Sequence, residues 1–542
     1  MTTKTFTNSD AVIFSSNKKW EELIDDKVFV NVLLSDVLEK YIQKQRWFAG
    51  KSSQLKYIEL SEYFKIQQDG EIYFGLLLEV NFKEAFYHHY FIPIAFTSDA
   101  SITPESKILS ISLNNQKGFI VDAIYLASFR KVVYDRISTA LPVDKTPVQY
   151  HKTESFNFPL YESSKFIGVE QSNTSIIYND AFILKFFRRI YADKNPDYEM
   201  SRFLSDKTAF KNTPPYLGSI NIIDSDNINI TIGLMQKLVP NNGDAWEYFL
   251  KEIHKIFLNI DLKKISLKDL PDVEMFERLK IEEISPQIID WVGLHLLNKV
   301  KLLAKRTAEM HAALGSEFAE TSFTPTRFNG DYSVWLKNRL TYQFQNRLSL
   351  AENNLHTLEG YSLQLAKEFL EQKNEIRKRL VNFDWTKFKG ERIRIHGDYH
   401  LGQILVQDDD FCILDFEGEP ESSIRDRKVK QPPLKDVAGL FRSFHYAIYA
   451  TIFNHQKEYE KNQEAVFDYG ELLYKYMIAV FMETYVETTK NANLHIGYRN
   501  ERIFLLKYCL LEKAIYELGY ELNSRPKWTI IPLKGIANIM NS

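Results

Sequence analysis

The sequence predicts an α+β protein built in three parts, and three observations predict it. Residues 56–130 alternate apolar and polar side chains, with turn signals at Q-D-G and N-N-Q-K-G, the pattern of antiparallel strands. Strand patterning resumes over 165–187 and again around I-N-I-T-I-G-L-M-Q-K-L-V. After Pro240 the period changes. D-W-V-G-L-H-L-L-N-K-V-K-L-L-A-K-R-T-A-E-M-H-A-A-L-G repeats apolar residues every three or four positions and stops at Gly315. L-A-K-E-F-L-E-Q-K-N-E-I-R-K-R-L and the stretch 469–487 do the same. A short helix at L-L-S-D-V-L-E-K-Y-I-Q-K precedes the first strands. Residues 141–159, with their prolines, read as a linker. The expected parts are a β-rich module over 1–145, a small mixed module over 155–238 and a helical module over 239–542.

Composition limits the function classes. With 542 residues and 44% apolar side chains the chain can bury sizeable cores. A net charge of -3 lacks the basic excess of a nucleic-acid binder. Its two cysteines, Cys412 and Cys509, give no disulfide framework, which fits a reducing, cytoplasmic setting. The N-terminus lacks a signal-peptide core, and no apolar run is long enough to span a membrane, so neither export nor a membrane is expected.

The chemistry concentrates in R-I-R-I-H-G-D-Y-H-L-G-Q-I-L-V followed by F-C-I-L-D-F-E-G-E-P. The first apolar run, read as a strand, delivers His396, Gly397 and Asp398. A second strand leaves from Gln403, and a third delivers Asp415. Hairpin pairing of the last two through Q-D-D-D would bring Gln403 near Asp415, and both near Asp398. Asp398 can orient or deprotonate a hydroxyl, while an amide oxygen beside a carboxylate offers hard ligands suited to Mg2+. Those are the parts of phosphoryl transfer from ATP.

Upstream, the matching parts are a phosphate cover, a strand lysine and a helix glutamate. Gln171-Ser172-Asn173-Thr174-Ser175 forms a turn between two strands, with Ser172, Asn173 and Thr174 as candidate phosphate contacts. Lys185 lies in an apolar run, where an unpaired ammonium is costly. Glu199, at a helix start, is its expected partner. The segment holding Gln236 and Leu238 joins the strand half to the helical half and is the expected adenine-reading hinge. The predicted architecture is therefore a two-lobed, eukaryotic-kinase-like fold, preceded by a β-rich cap. Between Asp415 and D-V-A-G-L only a short charged segment intervenes, and no A-P-E follows. That points to a small-molecule acceptor.

H-G-D-Y-H-L-G-Q, D-F-E-G-E-P and P-L-K-D-V-A-G-L-F-R-S-F resemble the bacterial maltokinases, within the aminoglycoside-phosphotransferase-like group. So do E-Q-S-N-T-S, V-P-N-N-G-D-A-W-E and K-A-I-Y-E-L-G-Y-E-L-N-S-R-P-K-W-T-I-I-P-L, with Q-R-W-F-A-G-K resembling the signature of their cap. The resemblance runs in order from about residue 34 to 540. It implies ATP- and Mg2+-dependent phosphorylation of maltose at the anomeric hydroxyl, with maltose 1-phosphate feeding glycogen and other α-glucan synthesis from trehalose. It also implies possible association with a trehalose synthase. Carried over, Asp398 would act on the sugar hydroxyl and Gln403 and Asp415 would hold Mg2+. For the sugar, Tyr516, Glu517, Tyr520 and Trp528 offer rings and an acceptor group, with Tyr516 and Tyr520 on one helix face. Arg442, Glu419 and the 523–525 turn are further candidates. His396 and His400 read as structural, and Trp47 and Phe48 as buried anchors. A kinase for another sugar or aminosugar, such as glucosamine, would share the same nucleotide and metal residues. A sugar-sensing pseudokinase is the alternative from another class.

Overall fold

The computed structural model describes residues 3–6, 12–141, 146–169, 173–316, 320–381, 385–455, 457–459 and 463–541. It divides into two compact units, one of Met1–Arg202 with Pro214–Val239, the other of Phe203–Thr213 with Pro240–Ser542.

The first unit holds two sheets. Strands β1 (Thr3–Phe6), β2 (Val12–Ser16), β3 (Leu55–Gln68), β4 (Glu71–Phe82), β5 (Tyr87–Thr97), β6 (Lys107–Leu113) and β7 (Gln116–Asp122) run in the order β1-β2-β6-β7-β5-β4-β3. The β3–β4 and β6–β7 hairpins turn at Asp69-Gly70 and Asn114-Asn115, all four at positive φ. Such residues match the twist of paired strands, which is why Q-D-G and N-N-Q-K-G were legible. The helical run at Leu33–Lys44 forms as expected, π-helical over Leu33–Leu38 and α-helical over Glu39–Lys44. It buries Leu38, Tyr41 and Ile42 with Trp47 and Phe48 against one face of this sheet.

The second sheet contains β8 (Val148–Lys152), β9 (Ser164–Val169), β10 (Asn173–Tyr178), β11 (Phe182–Phe187), β13 (Tyr216–Ile223) and β14 (Asn229–Lys237), in the order β8-β13-β14-β11-β10-β9. The expected linker at 141–159 thus contains an edge strand. Val148 and Tyr150 alternate inward, a pattern that the flanking prolines mask. Directly after β11, β12 (Arg189–Ile190) crosses over and pairs with β5 of the first sheet. Phe64, Phe91, Phe129 and Phe186 belong to one core that takes side chains from both sheets.

Arg188, at that crossing, is fully buried. Its Nη2 lies 2.7 Å from the equally buried Asp122 of β7, and its guanidinium stacks over Trp47. A buried charge left without its partner costs far more than the pair contributes.

The second unit is helical. The helix Leu434–Asn454 is buried on nearly every face, and Ala245–Leu262, Gln463–Asn491 and Arg499–Ser524 pack around it. No helix among the described residues is long and apolar enough to cross a membrane. An antiparallel hairpin of β17 (Ile404–Gln407) and β18 (Asp410–Ile413) pairs Ile404 with Ile413. R-I-R-I does not form the expected strand. Only Glu391–Arg392 pairs, with Thr326–Arg327, and Ile393 makes a single bridge to Gln431. All four residues 392–395 are buried, so their alternation reflects cover on both sides rather than a ladder.

Asp122→Ala, which orphans Arg188, is expected to lower stability by about 3–5 kcal/mol in a urea melt. The double variant Asp122→Leu/Arg188→Met should recover most of that loss.

Candidate active site

In the first unit, Lys185 of β11 meets a carboxylate, and the one brought to 2.8 Å is Asp197 Oδ2. The sequence reading gave this role to Glu199. Asp197 lies in the first turn of the helix Pro196–Lys207 and is wholly buried, whereas Glu199 is half-buried two positions on. Asp197 and Ser201 share the inward face at i, i+4, and the Ser201 hydroxyl donates to Asp197 Oδ1.

The proposed phosphate cover is more structural than its composition suggested. Ser172 lies outside the described residues. Thr174 is fully buried, and its Oγ1 accepts from Arg188 Nε at 2.9 Å. A hydroxyl so enclosed supports the Arg188 crossing, which corrects its assignment to a phosphate. Asn173 is also buried and pairs in register with Phe187. Gln236 lies inside the ladder, paired with Ile183 of β11 and Tyr216 of β13, and its side-chain amide turns inward and donates to Ser201 Oγ at 3.1 Å. Leu238 commits its N–H to Ala181 O, which leaves its carbonyl as the group it can present.

In the second unit the H-G-D loop is held by Asp436, which is buried. Its carboxylate accepts from the N–H groups of His396 at 2.7 Å and Gly397 at 2.9 Å, and lies 3.0 Å from His311 Nε2. The Tyr485 hydroxyl engages His311 Nδ1 at 2.7 Å. Burial works against the Asp436 charge, but these bonds and the histidine hold its carboxyl below the usual range. Gly397 adopts φ +86°, and a Cβ there would meet Gly418 Cα at 3.1 Å, so the turn needs a glycine twice over. His396 donates Nε2–H to Leu414 O at 2.8 Å, tying the loop to the segment that carries Asp415. Both histidines of the motif serve the loop, since His400 Nδ1 accepts from the Gly402 N–H.

Gln403 and Asp415 come together as expected. Gln403 Nε2 donates to Asp415 Oδ2 at 2.9 Å, and Leu414 N–H donates to Gln403 O. Asp415 sits at φ +64°, a conformation that an aspartate tolerates at some cost and that turns it out of the β18 direction. Asp398 is half-buried. Its Oδ1 receives Lys513 Nζ at 3.3 Å, and His400 Nε2 lies 4.0 Å from Oδ2.

Lys513 is the residue that sequence reasoning missed. It lies three and four positions before Tyr516 and Glu517 on the helix Arg499–Ser524, a spacing that would have placed it on their face. Its ammonium is also 3.5 Å from Glu419. Arg339 bridges Glu419 and Glu512 at 2.7 and 3.1 Å, and Lys435 reaches Glu512 at 3.2 Å. Burial works against the Glu419 charge, but Lys513, Lys435 and Arg339 hold its carboxyl at about 2. Gly397, Glu419, Lys435, Glu512, Lys513 and Tyr516 line a small pocket. The Tyr516 ring has Lys513 Nζ on it at 5.2 Å and the Arg347 guanidinium at 5.6 Å.

The remaining acceptor candidates lie further along. Arg442 is almost fully buried and forms a pair with Glu517 at 2.8 Å, while its Nη1 meets His445. Trp528 packs against Phe453 and Tyr446 with Arg525 stacked at 4.5 Å, and Tyr520 is exposed. The structure therefore gathers Asp398, Glu419 and Tyr516 in one place and puts Trp528 in a separate aromatic cluster.

No family model matches the chain. A stretch of 61 residues is 36% identical to a glucosamine kinase of Streptacidiphilus jiangxiensis. That match covers 11% of this chain and spans only 14% of the relative's length. Among solved structures, one crystal form of a glucosamine kinase superposes with a TM-score of 0.61 at 14% identity, over 97% of this chain and 100% of that one. A glucosamine kinase in complex with glucosamine, ADP and inorganic phosphate gives 0.60 at 13% identity, with the same coverage. The fold is that of these kinases: mixed α+β, with a β-rich N-terminal part and a helical C-terminal part.

Because the Glu419 carboxyl lies below its unfolded value of about 4.3, it stabilises the fold above that pH. That contribution, on the order of 3 kcal/mol, is lost as pH falls from about 4 toward 2. Acid unfolding followed by circular dichroism should be shallower over this window in Glu419→Gln than in the wild type.

Proposed function

We propose that the protein is a phosphotransferase that moves the γ-phosphoryl group of ATP to a sugar hydroxyl. The observation that carries this reading is the Gln403–Asp415 pair at 2.9 Å, beside a loop that presents Asp398 and is fixed by Asp436. In phosphoryl transfer the protein's work is positioning and charge stabilisation. Lys513 engages Asp398 Oδ1, so Oδ2 is the oxygen left to orient the acceptor hydroxyl and take its proton. Gln403 and Asp415 carry an amide oxygen and a carboxylate, hard donors that fit Mg2+ and would hold it. Bound there, the ion supplies charge neutralisation for the phosphates. Lys185, fixed by Asp197, is the proposed ligand of the nucleotide's α- and β-phosphates, with the Leu238 carbonyl toward the base. On this reading residues 1–145 form a cap, 155–238 the nucleotide lobe and 239–542 the acceptor lobe.

For the acceptor, the reading best supported is maltose, phosphorylated at its anomeric hydroxyl. The motif resemblance supports it, and so does the charge balance around Asp398. Asp398, Glu419 and Glu512 are matched by Lys513, Lys435 and Arg339. An acceptor's ammonium would find these carboxylates already engaged, whereas a neutral sugar needs only hydrogen bonds and the Tyr516 ring. Glucosamine is the second reading, favoured by the likeness in fold over nearly the whole chain.

Asp398→Asn should cut turnover roughly 10²- to 10⁴-fold while nucleotide binding survives; wild-type turnover in this variant would remove Asp398 from its role. ADP release from MgATP, measured with maltose, glucose, glucosamine and trehalose, decides the acceptor. Maltose turnover with an anomeric phosphate doublet in the phosphorus NMR spectrum is the expected result. Turnover of glucosamine alone would replace it with the second reading.

A further inference from the structure

A cavity of about 960 Å³, within the range of small-molecule sites, lies wholly in the strand-rich unit. None of the residues given a part in phosphoryl transfer lines it. Its wall carries five cations, Lys40, Lys44, Arg46, Lys107 and Arg130, against two carboxylates, Asp36 and Glu105. Lys40 and Lys44 stand four residues apart at the end of the helical run, so they share a face and repel each other slightly. Neither they nor Arg46 make an ion pair among the described residues. Of the two carboxylates, Asp36 takes a local bond from the Ser35 hydroxyl, and Glu105 is exposed.

Lysines along an exposed helix face are ordinarily solvated, and by themselves they mark no site. Arg130 is different, because it is only 8% exposed. It lies in the helix Ala127–Thr139. Its Nε donates to Ser164 Oγ at 2.8 Å, and its Nη1 to the carbonyls of Ile124 and Tyr125 at 3.0 and 2.8 Å. All three acceptors are neutral, and among the described residues Nη2 is left without one. No carboxylate among them pairs with this guanidinium, and burial works against its charge. Asp122, which takes the Tyr41 hydroxyl at 3.2 Å, is already matched by Arg188. A buried cation without a counter-charge is costly, and an anion entering the cavity would supply one. The same cavity is lined by Tyr125 and Phe166, whose ring centroids lie 4.6 Å apart with planes at 31°. They offer a sugar or base ring an apolar face.

We propose that this cavity binds a small phosphate ester that carries a ring, a sugar phosphate or a nucleoside monophosphate. Arg130 and the cations at the cavity edge hold its phosphate, and Tyr125 and Phe166 take its ring. Guanidinium and ammonium groups match phosphate oxygens through charge-assisted hydrogen bonds. The proposal stands apart from the phosphotransfer reading, since it uses none of the same residues. A bound ester would tie the helical run Leu33–Lys44 and β6 to Arg130 and to β9 of the second sheet, and so stabilise the unit by mass action.

The test titrates the full chain, free of Mg2+, by calorimetry with glucose 1-phosphate and with adenosine monophosphate. Glucose, adenosine and inorganic phosphate are the controls. At least one ester should bind saturably, roughly 10-fold or more tighter than inorganic phosphate and than its own unphosphorylated counterpart. Which ester binds tighter identifies the ring. Lys44→Gln/Arg46→Gln, a pair of exposed changes that leaves the fold intact, should weaken that binding roughly 10-fold or more. Arg130→Lys, which keeps the charge and loses the fork, should weaken it as well. No saturable binding of either ester, inorganic phosphate binding as tightly as the esters, or affinity unchanged in Lys44→Gln/Arg46→Gln would overturn the proposal.

Discussion

The geometry of the candidate site depends on one buried carboxylate. Asp436 takes the backbone N–H groups of His396 and Gly397 and the imidazole of His311. A buried ion is tolerable only when its lone pairs are satisfied, and these three donors, backed by Tyr485, do so. The consequence is positional. With two successive amides pinned and Gly397 in a left-handed turn, the next residue, Asp398, has little freedom in where it points. His396 extends the same constraint to Leu414, one residue before Asp415. Asp436 thus sets the loop of Asp398 directly and that of Asp415 through one histidine.

The strand-rich unit has a comparable node of opposite sign. Arg188 joins a strand of one sheet to a strand of the other, with Asp122, Thr174 and Trp47 around it. Its neighbour in sequence, Lys185, is held by Asp197 from a helix start. Two cations three residues apart, Lys185 on β11 and Arg188 just past its end, therefore do different work. Arg188 is sealed within the unit, while the Lys185 side chain keeps some exposure. The difference follows from strand alternation, which sends positions of opposite parity to opposite faces.

Around Asp398 the charges are arranged in a chain rather than as isolated pairs. Asp398, Lys513, Glu419, Arg339, Glu512 and Lys435 follow one another with alternating sign. Each group is at least partly buried, and each is compensated by a neighbour of opposite sign. Such a chain holds side chains still and neutralises the pocket as a whole. On the proposed reading, an uncharged acceptor would be recognised by hydrogen bonds and the Tyr516 ring.

Much of this was legible in the sequence by itself. Local periodicity carried the α+β class, the hairpins at Q-D-G and N-N-Q-K-G and the helices after Pro240, because each depends on residues only a few positions apart. The same holds for the approach of Gln403 to Asp415, which needs only a hairpin between them. What the tertiary structure alone decided are the partners distant in sequence. Asp197 meets Lys185 because the helix phase against the sheet turns it inward. Thr174 faces the interior although its hydroxyl suits a ligand. Lys513 reaches Asp398 across 115 residues, a meeting that no local pattern encodes. It exists because the packing of Arg499–Ser524 beside the central buried helix brings one face of that helix to the loop.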